Sequence, residues 1–207
     1  AKADGTSETI EAKNIIIATG SKPSSLPFIK IDKERIITST DALKLKEVPK
    51  HLVIIGGGVI GIELGQVYLR LGAQVSVVEY LDRIIPGMDA SLSKELTKVL
   101  KKQGMKFYVS HKVKSVERDG EGIIVQAENT KGETIALEGD YSLVSVGRRP
   151  YTDGLNAYKA GVKISDRGMV EVNDHLQTNI PNIYAIGDVV RGAMLAHKAE
   201  EEGVMVA

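Results

Sequence analysis

The sequence predicts an α/β fold: a parallel sheet with helices, plus an antiparallel three-stranded meander. Two observations support this prediction. Over the first hundred residues, short apolar runs rich in β-branched residues alternate with helical patterns, which is typical of parallel strands joined by crossover helices. From Met105 to Val146 the pattern changes to short runs separated by Asp119-Gly120 and Lys131-Gly132. These dipeptides are typical turns of antiparallel hairpins.

Each element has its own signal. Buried parallel strands are predicted from apolar runs at Asn14 to Ala18, His51 to Ile55, Gln74 to Glu79, Tyr141 to Val146 and Pro181 to Ile186. The strands of the meander are predicted at Val113 to Glu117, Gly122 to Ala127 and Thr134 to Leu137.

Three helices are expected between and after these strands. The first runs from Val59 to Leu71, with an apolar face formed by Ile60, Leu64, Val67 and Leu71. Asp89 is the predicted N-cap of a second helix that reaches Lys102 and is ended by Gly104. A third helix is predicted from Gly192 to Ala207.

Composition and charge exclude several classes of function. Lys plus Arg and Asp plus Glu are both 27, and the chain has no cysteine. A neutral chain lacks the surplus of cations that nucleic-acid binding requires, so we expect no nucleic-acid partner. Without cysteine, the chain has no disulfide, no Cys-ligated metal and no thiol chemistry. The apolar stretch Leu52 to Leu64 is too short to span a bilayer, so no membrane partner is expected. The scattered histidines share no ligand spacing, so no metal site is predicted.

A glycine-rich loop follows the strand that ends at Ile55. Its residues are Gly56, Gly57, Gly58, Val59, Ile60 and Gly61, in the spacing G-x-G-x-x-G. In such a loop Gly56 permits a tight turn, Gly58 lets the backbone approach a pyrophosphate, and Gly61 lets the helix pack closely on the sheet. The N–H groups at the helix N-terminus then face the phosphates. The pattern therefore predicts a Rossmann-like dinucleotide site.

Two glutamates near this loop have different interpretations. Glu79 ends the next strand, 18 residues after Gly61, where a carboxylate accepts hydrogen bonds from an adenosine ribose. Because a carboxylate repels a 2′-phosphate, we expect NAD(H) rather than NADP(H); the alternative is a solvated residue at a strand end. Glu63 lies on the first turn of the helix. The sequence leaves open whether it interacts with the helix dipole or lies near a nicotinamide.

Two further strand ends make the set of motifs more specific. Ala18-Thr19-Gly20 ends the first predicted strand, and Ile186-Gly187-Asp188 ends the last one. Asp188 therefore lies where ligands of open α/β sheets bind. Together with the glycine-rich loop and the stretch Gly147 to Pro150, these motifs resemble the flavin-dependent disulfide oxidoreductases over nearly the whole chain.

Within that family, the sequence is most similar to the dihydrolipoamide dehydrogenase branch. The similarity is carried by Gly58 to Gly65, Lys102 to Gly104 and Met194 to Glu200. It implies a Rossmann-like FAD/NAD(P)-binding fold and two cofactors, NAD and FAD.

The resemblance implies a role for each motif residue toward NAD. The loop Gly56 to Gly61 would hold the pyrophosphate, Glu79 the ribose, and Val113, beside Lys112, the adenine. Ile60 and Glu63 would lie beside the nicotinamide, with Gly147 approaching from the other side.

The resemblance also implies roles toward FAD. Thr19, Gly20 and Ser21 would belong to the FAD half of the molecule, and Asp188 would bind the ribityl chain. Backbone groups of Met194, Leu195, Ala196 and His197 would face the isoalloxazine, where a helix N-terminus stabilises negative charge on the reduced flavin.

The domain order implied by the resemblance is a first FAD-binding piece (1–40), an NAD-binding domain (41–149) and a second, truncated FAD-binding piece (150–207). The family's chemistry requires a pair of cysteines, which this sequence lacks. An N-terminal FAD loop and a C-terminal interface domain are also missing. We therefore expect a fragment of a longer enzyme, inactive alone and without catalytic residues of its own.

For the full-length parent, the resemblance implies oxidation of protein-bound dihydrolipoamide to lipoamide with FAD, and reduction of NAD⁺ to NADH. Its partners would be lipoyl domains of 2-oxo acid dehydrogenase complexes and a second subunit in a homodimer. Two alternatives stay open: an NADH-dependent flavin reductase of the ferredoxin- or rubredoxin-reductase type, and a non-catalytic NAD-binding redox module. We expect a role in redox homeostasis in the bacterial cytoplasm, with the mitochondrial matrix as the alternative location.

Overall fold

The computed structural model of the protein describes residues 5–207, so the first four residues of the predicted segment 1–40 lie outside it. The described chain forms two compact units: residues 5–22 with 148–207 form the first, and residues 23–147 the second. The elements are β1 (Ile15–Ile17), β2 (Ser21–Pro23), β3 (Ile36–Ile37), α1 (Ser39–Ala42), β4 (His51–Ile55), α2 (Val59–Arg70), β5 (Gln74–Val78), α3 (Ala90–Lys102), β6 (Lys106–Tyr108), β7 (His111–Asp119), β8 (Gly122–Asn129), β9 (Thr134–Gly139), β10 (Tyr141–Val144), β11 (Arg148–Pro150), β12 (Ile183–Ala185) and α4 (Ala196–Val206).

The second unit is built around a parallel sheet with the strand order β3-β10-β4-β5-β6. The chain runs from β4 through α2 to β5 and through α3 to β6, and then returns to the opposite side of β4 with β10. This reversal creates a topological switch point beside β4. In open α/β sheets, ligands bind at such a point, at the carboxyl ends of the strands.

Each face of this sheet is covered by a different layer. On one face, Ile62 of α2 and Leu100 of α3 are buried in a cluster with Ile54 of β4. On the other face, Val125 of the meander is buried in a cluster with Val53 of β4. The meander β7-β8-β9 is antiparallel throughout, as predicted. Complete burial of one such side chain contributes about 1.5–3 kcal/mol.

The predicted apolar face of α2 is only partly right: Leu64 packs against the core, but Val67 and Leu71 do not. The expected face was Ile60, Leu64, Val67 and Leu71, whereas the buried residues of the helix are Gly61, Ile62, Gly65 and Tyr68. Val67 and Leu71 are 52% and 59% exposed. A Cβ atom on Gly61 would lie 2.6 Å from the carbonyl oxygen of Gly56, and one on Gly65 would lie 2.8 Å from Ile54 Cδ1. The helix therefore packs on the sheet through Gly61 and Gly65 together with Ile62 and Tyr68, and this orientation leaves Val67 and Leu71 exposed.

The predicted signals at the ends of α3 are confirmed. The Asp89 carboxylate accepts a hydrogen bond of 2.8 Å from the N–H of Ser91. Gly104 follows the helix with φ +103°, a left-handed conformation that glycine adopts without steric cost.

In the first unit, β1 pairs with β12 in parallel and β2 pairs with β11. The prediction of a buried parallel strand is right for the pairing and for Ile17, which is buried, but wrong for Ile15 and Ile16, which are 46% and 45% exposed. The reason is that β1 belongs to a two-stranded pair, which offers few neighbours to cover it. The last helix begins at Ala196, four residues later than predicted. Among residues 5–207, no helix combines the length and apolar character needed to cross a membrane.

Candidate functional site

A cleft of about 580 Å³ opens at the switch point of the sheet in the second unit. Its floor comes from the carboxyl ends of β4 and β5, with Ile55 and Val78, and from Ser145 to Gly147 after β10. Most of the lining is apolar. The cleft therefore lies where the topology of the sheet predicts a ligand.

The glycine-rich loop supplies one wall of this cleft. Gly56 has φ +101°, and a Cβ atom there would collide with the carbonyl oxygen of Ser145. Gly58 is the N-cap of α2, and no protein atom lies within 4 Å of the place that a Cβ atom would take. An α-helix leaves its first four N–H groups without intrahelical partners. The loop thus combines open space with free backbone donors, which is the arrangement that a pyrophosphate requires.

Glu79, which directly follows the neighbouring strand β5, is hydrogen-bonded to the glycine-rich loop. Its Oε2 accepts a hydrogen bond of 2.5 Å from the N–H of Gly57, and its Oε1 accepts one of 2.8 Å from the N–H of Leu81. The residue lines the cleft although it is only 8% exposed. A carboxylate has about four acceptor sites, so two of these sites are left for hydroxyl groups of a ligand.

The structure brings some of the predicted NAD residues together and leaves others apart. Gly56, Gly58, Glu79, Val113 and Gly147 all line the cleft, with Lys112 beside Val113. Gly57 and Gly61 lie buried behind it. Val59, Ile60 and Glu63 lie on the first turns of α2 and are not part of the lining; Val59 and Glu63 are exposed.

Sequence reasoning missed the outer wall of the cleft. Leu26 and Phe28 belong to the proline-rich segment after β2 and line the cleft. The N–H of Ser24 donates a hydrogen bond of 2.9 Å to the carbonyl oxygen of Gly147, which holds this segment beside the cleft. His111, which the sequence offered only as a scattered histidine, also lies in the lining. Neither feature has periodicity or a motif that could have indicated it.

The first unit contains a separate polar cluster. The Ser21 hydroxyl donates a hydrogen bond of 2.5 Å to Asp188 Oδ2. Arg148 Nε donates to the same hydroxyl at 2.7 Å, and its Nη2 donates to the carbonyl oxygen of Ser21 at 2.8 Å. The two predicted FAD residues Ser21 and Asp188 are thus in direct contact. Arg148 was predicted only as part of a motif, without this role.

The other predicted FAD residues lie near the ends of β1 and α4. Thr19 and Gly20 follow β1, and the carbonyl oxygen of Gly20 accepts a hydrogen bond of 2.8 Å from the N–H of Tyr151. Leu195 is the N-cap of α4 and makes no side-chain cap, so Met194, Leu195, Ala196 and His197 surround the free N-terminus of that helix. Within residues 5–207, no group of three or more His, Cys, Asp or Glu side chains has the arrangement of a metal site.

Comparison with known families decides the affiliation. The family model described as pyridine nucleotide-disulphide oxidoreductase matches residues 1–203. The chain belongs to this family. Family membership implies FAD and NAD(H) as cofactors, and it confirms the resemblance that the motifs indicated.

Individual relatives agree with this affiliation. The chain is 52% identical to the mitochondrial dihydrolipoyl dehydrogenase of Dictyostelium discoideum, over 98% of this chain and 42% of the relative. It is 51% identical to dihydrolipoyl dehydrogenase 3 of Pseudomonas putida, over 97% of this chain and 43% of the relative. The chain therefore spans about two fifths of the length of these curated relatives.

Solved structures show the same fold. RclA from Escherichia coli, a HOCl-induced flavoprotein disulfide reductase, has a TM-score of 0.91 and 28% identity, over 100% of this chain and 46% of that one. LpdA from Mycobacterium tuberculosis has a TM-score of 0.88 and 32% identity, over 98% and 43%. The predicted fold class, a parallel sheet with helices plus an antiparallel meander, is confirmed.

Proposed function

We propose that this chain forms the NAD site and part of the FAD site of a dihydrolipoyl dehydrogenase. The full-length enzyme oxidises protein-bound dihydrolipoamide to lipoamide with FAD and reduces NAD⁺ to NADH. The observation that supports this proposal is a cleft lined by the glycine-rich loop and Glu79. It lies in a chain that is 52% and 51% identical to two dihydrolipoyl dehydrogenases. That identity favours this function over a ferredoxin- or rubredoxin-type reductase and over a non-catalytic redox module.

The proposed NAD-binding domain covers residues 41–149. The backbone of Gly56 to Gly61 binds the pyrophosphate, the two unused acceptor sites of Glu79 bind the adenosine ribose, and Val113 contacts the adenine. The negative charge of Glu79 excludes the 2′-phosphate of NADP(H). Ile60 and Glu63 lie toward the nicotinamide, opposite Gly147.

The proposed FAD-binding pieces cover residues 1–40 and 150–207. The half-buried Asp188 carboxylate suits a hydroxyl-rich ribityl chain, because Ser21 occupies only one of its oxygens. Thr19 and Gly20 belong to the same site. Met194, Leu195, Ala196 and His197 surround the N-terminus of α4, and the free N–H groups there, at Ala196 and His197, suit an isoalloxazine that gains negative charge on reduction.

The chemistry divides between the cofactor and the chain. Bound FAD supplies the redox centre between the thiols and the nicotinamide. The residues of this chain bind and orient the two cofactors and select NAD(H). The cysteine pair of the thiol step must come from elsewhere in the full-length enzyme, because this chain contains no cysteine.

The proposed partners of the full-length enzyme are the lipoyl domains of 2-oxo acid dehydrogenase complexes and a second copy in a homodimer. Relatives include both mitochondrial and bacterial proteins. We place this protein in the bacterial cytoplasm, with a role in redox homeostasis and the mitochondrial matrix as the alternative location.

The decisive experiment is an assay of the full-length protein with dihydrolipoamide and either NAD⁺ or NADP⁺. We expect NAD⁺ reduction that requires bound FAD and a much lower rate with NADP⁺. A flavin-loaded protein that oxidises no dithiol, or that prefers NADP⁺, would refute the proposal.

A variant of Glu79 tests the cofactor choice. Glu79→Arg should weaken NADH binding and strengthen NADPH binding. Loss of the hydrogen bonds to Gly57 and Leu81 can explain only the first effect, so the gain in NADPH affinity isolates the role of charge. Glu117→Arg, on an exposed residue outside the cleft lining, is the matched control and should change neither affinity. Unchanged NADPH affinity in Glu79→Arg would show that the ribose assignment is wrong.

A further inference from the structure

A half-buried ion pair on α4 lies behind the turn that carries Asp188. Lys198 Nζ and Glu202 Oε1 are 2.7 Å apart, and their side chains are only 21% and 16% exposed. Each of the other ion pairs between residues 5–207 has a side chain that is more than one third exposed. Exposed pairs of this kind contribute little to stability, so the shielded pair on α4 is the one that can fix local geometry.

The pair binds the backbone of Gly187 on both sides. Glu202 Oε2 accepts a hydrogen bond of 2.7 Å from the N–H of Gly187, and Lys198 Nζ donates to the carbonyl oxygen of the same residue at 3.4 Å. Gly187 has φ +74°, and a Cβ atom there would lie 3.2 Å from the Cβ of Ala199. Helix α4 therefore packs directly against this glycine. Its Lys198 and Glu202 side chains form hydrogen bonds with the two peptide groups that flank the Gly187 Cα atom.

Gly187 is the first residue of the 3₁₀ turn Gly187–Val189, and Asp188 is the second. The Asp188 carboxylate is held at its other end by Ser21. Its position is thus determined by the Ser21 hydroxyl on the side-chain side and by Glu202 on the backbone side. The same helix begins with the free N–H groups next to Leu195.

We infer that the Lys198–Glu202 pair is a positioning device for FAD, which holds the Asp188 carboxylate and the N-terminus of α4 in one fixed geometry. The inference rests on the proposed function. Neither residue needs to contact the flavin, because Glu202 acts through Gly187. Lys198 neutralises Glu202, so that a carboxylate can remain half-buried at this place.

The test measures FAD binding to the full-length protein after the bound flavin has been removed. Glu202→Ala should weaken FAD binding about tenfold or more, as expected for the loss of one charge-assisted hydrogen bond, and it should shift the visible absorption spectrum of the bound flavin. Glu202→Gln keeps an oxygen that accepts from Gly187, so it should restore most of the affinity. Glu201→Ala, on an exposed residue of the same helix, should behave as the wild type.

A double-mutant cycle with Asp188→Ala separates positioning from a general structural role. If Glu202 acts through Asp188, then Glu202→Ala should have little further effect on FAD affinity once Asp188 has been removed. Fully additive losses, or an affinity and spectrum of Glu202→Ala equal to those of the wild type, would overturn the inference and leave the proposed function intact. Where Glu202→Ala does not fold, Lys198→Met, which removes the cation that pairs with Glu202, replaces it in the same cycle. Failure of the wild-type protein to bind FAD would refute the proposed function and the inference together.

Discussion

Two glycines of the glycine-rich loop, Gly58 and Gly61, should respond differently to substitution by alanine. In Gly61→Ala the new methyl group would lie 2.6 Å from the carbonyl oxygen of Gly56 and 3.1 Å from Ile54 Cγ2. Such overpacking costs about 1–3 kcal/mol, while the better helix propensity of alanine offsets about 1 kcal/mol. Because the nearest atom is a backbone oxygen, which cannot move aside as a side chain can, the cost lies in the upper part of this range, and we expect the free energy of unfolding to fall by about 1–2 kcal/mol.

Gly58→Ala should leave the fold nearly unchanged. Its φ of −72° suits alanine, and no protein atom lies within 4 Å of the new methyl group. Alanine is a poorer N-cap than glycine, but it also restricts the unfolded chain by about 0.4–1 kcal/mol, so the net change should be small. The methyl group would instead take the space proposed for the pyrophosphate. The expected loss of NADH affinity is at least about tenfold, or about 1.4 kcal/mol.

Both variants can be compared in the full-length protein by urea denaturation and by NADH titration. Gly61→Ala should lower stability and, because the loop moves, NADH affinity as well. Gly58→Ala should lower NADH affinity alone. Wild-type NADH affinity in Gly58→Ala would refute the placement of the pyrophosphate, and wild-type stability in Gly61→Ala would refute the packing argument.

Two further predictions concern the sheet and the segment that precedes it. Ser142 is 0% exposed, and its hydroxyl has no hydrogen-bond partner within the described residues, so Ser142→Ala should raise the free energy of unfolding by up to about 1 kcal/mol; a lower urea midpoint would contradict this. Burial alone would raise the pKa of Asp32, but hydrogen bonds from three backbone N–H groups and from Arg118 outweigh it and hold that pKa below its usual value. A lowered pKa stabilises the fold above the unfolded-state pKa and loses this effect as the pH falls through the folded-state pKa. Hydrogen bonds to a charged group are about 1 kcal/mol stronger than those to a neutral one, so Asp32→Asn should be about 1 kcal/mol less stable at pH 7, and the difference should shrink below about pH 4. A difference that is independent of pH would refute the ionic role of Asp32.

Local signals located most of the elements of this protein. Strand β4, the meander and helix α3 with its Asp89 cap lie close to where the periodicity and the turn residues placed them. Their signals are short-range, since alternation, capping and glycine turns depend on neighbours along the chain. The face of α2 could not be predicted in this way. Apolar spacing points to the large residues, whereas close contact with the sheet selects Gly61 and Gly65.

The prediction of a dinucleotide site at the glycine-rich loop and Glu79 rests on spacing alone, because a strand, a turn and a helix N-terminus are consecutive in the chain. The partners of these residues could not be predicted in this way. Leu26 reaches the cleft, Ser21 meets Asp188 across 167 positions of sequence, and Glu202 holds Gly187 from a helix that carries no motif for that role. Such contacts depend on how distant segments pack, and no local pattern encodes the distance between them. The residue types at the proposed cofactor sites can thus be predicted from the sequence, while the side chains that hold them in place are decided by the folded chain.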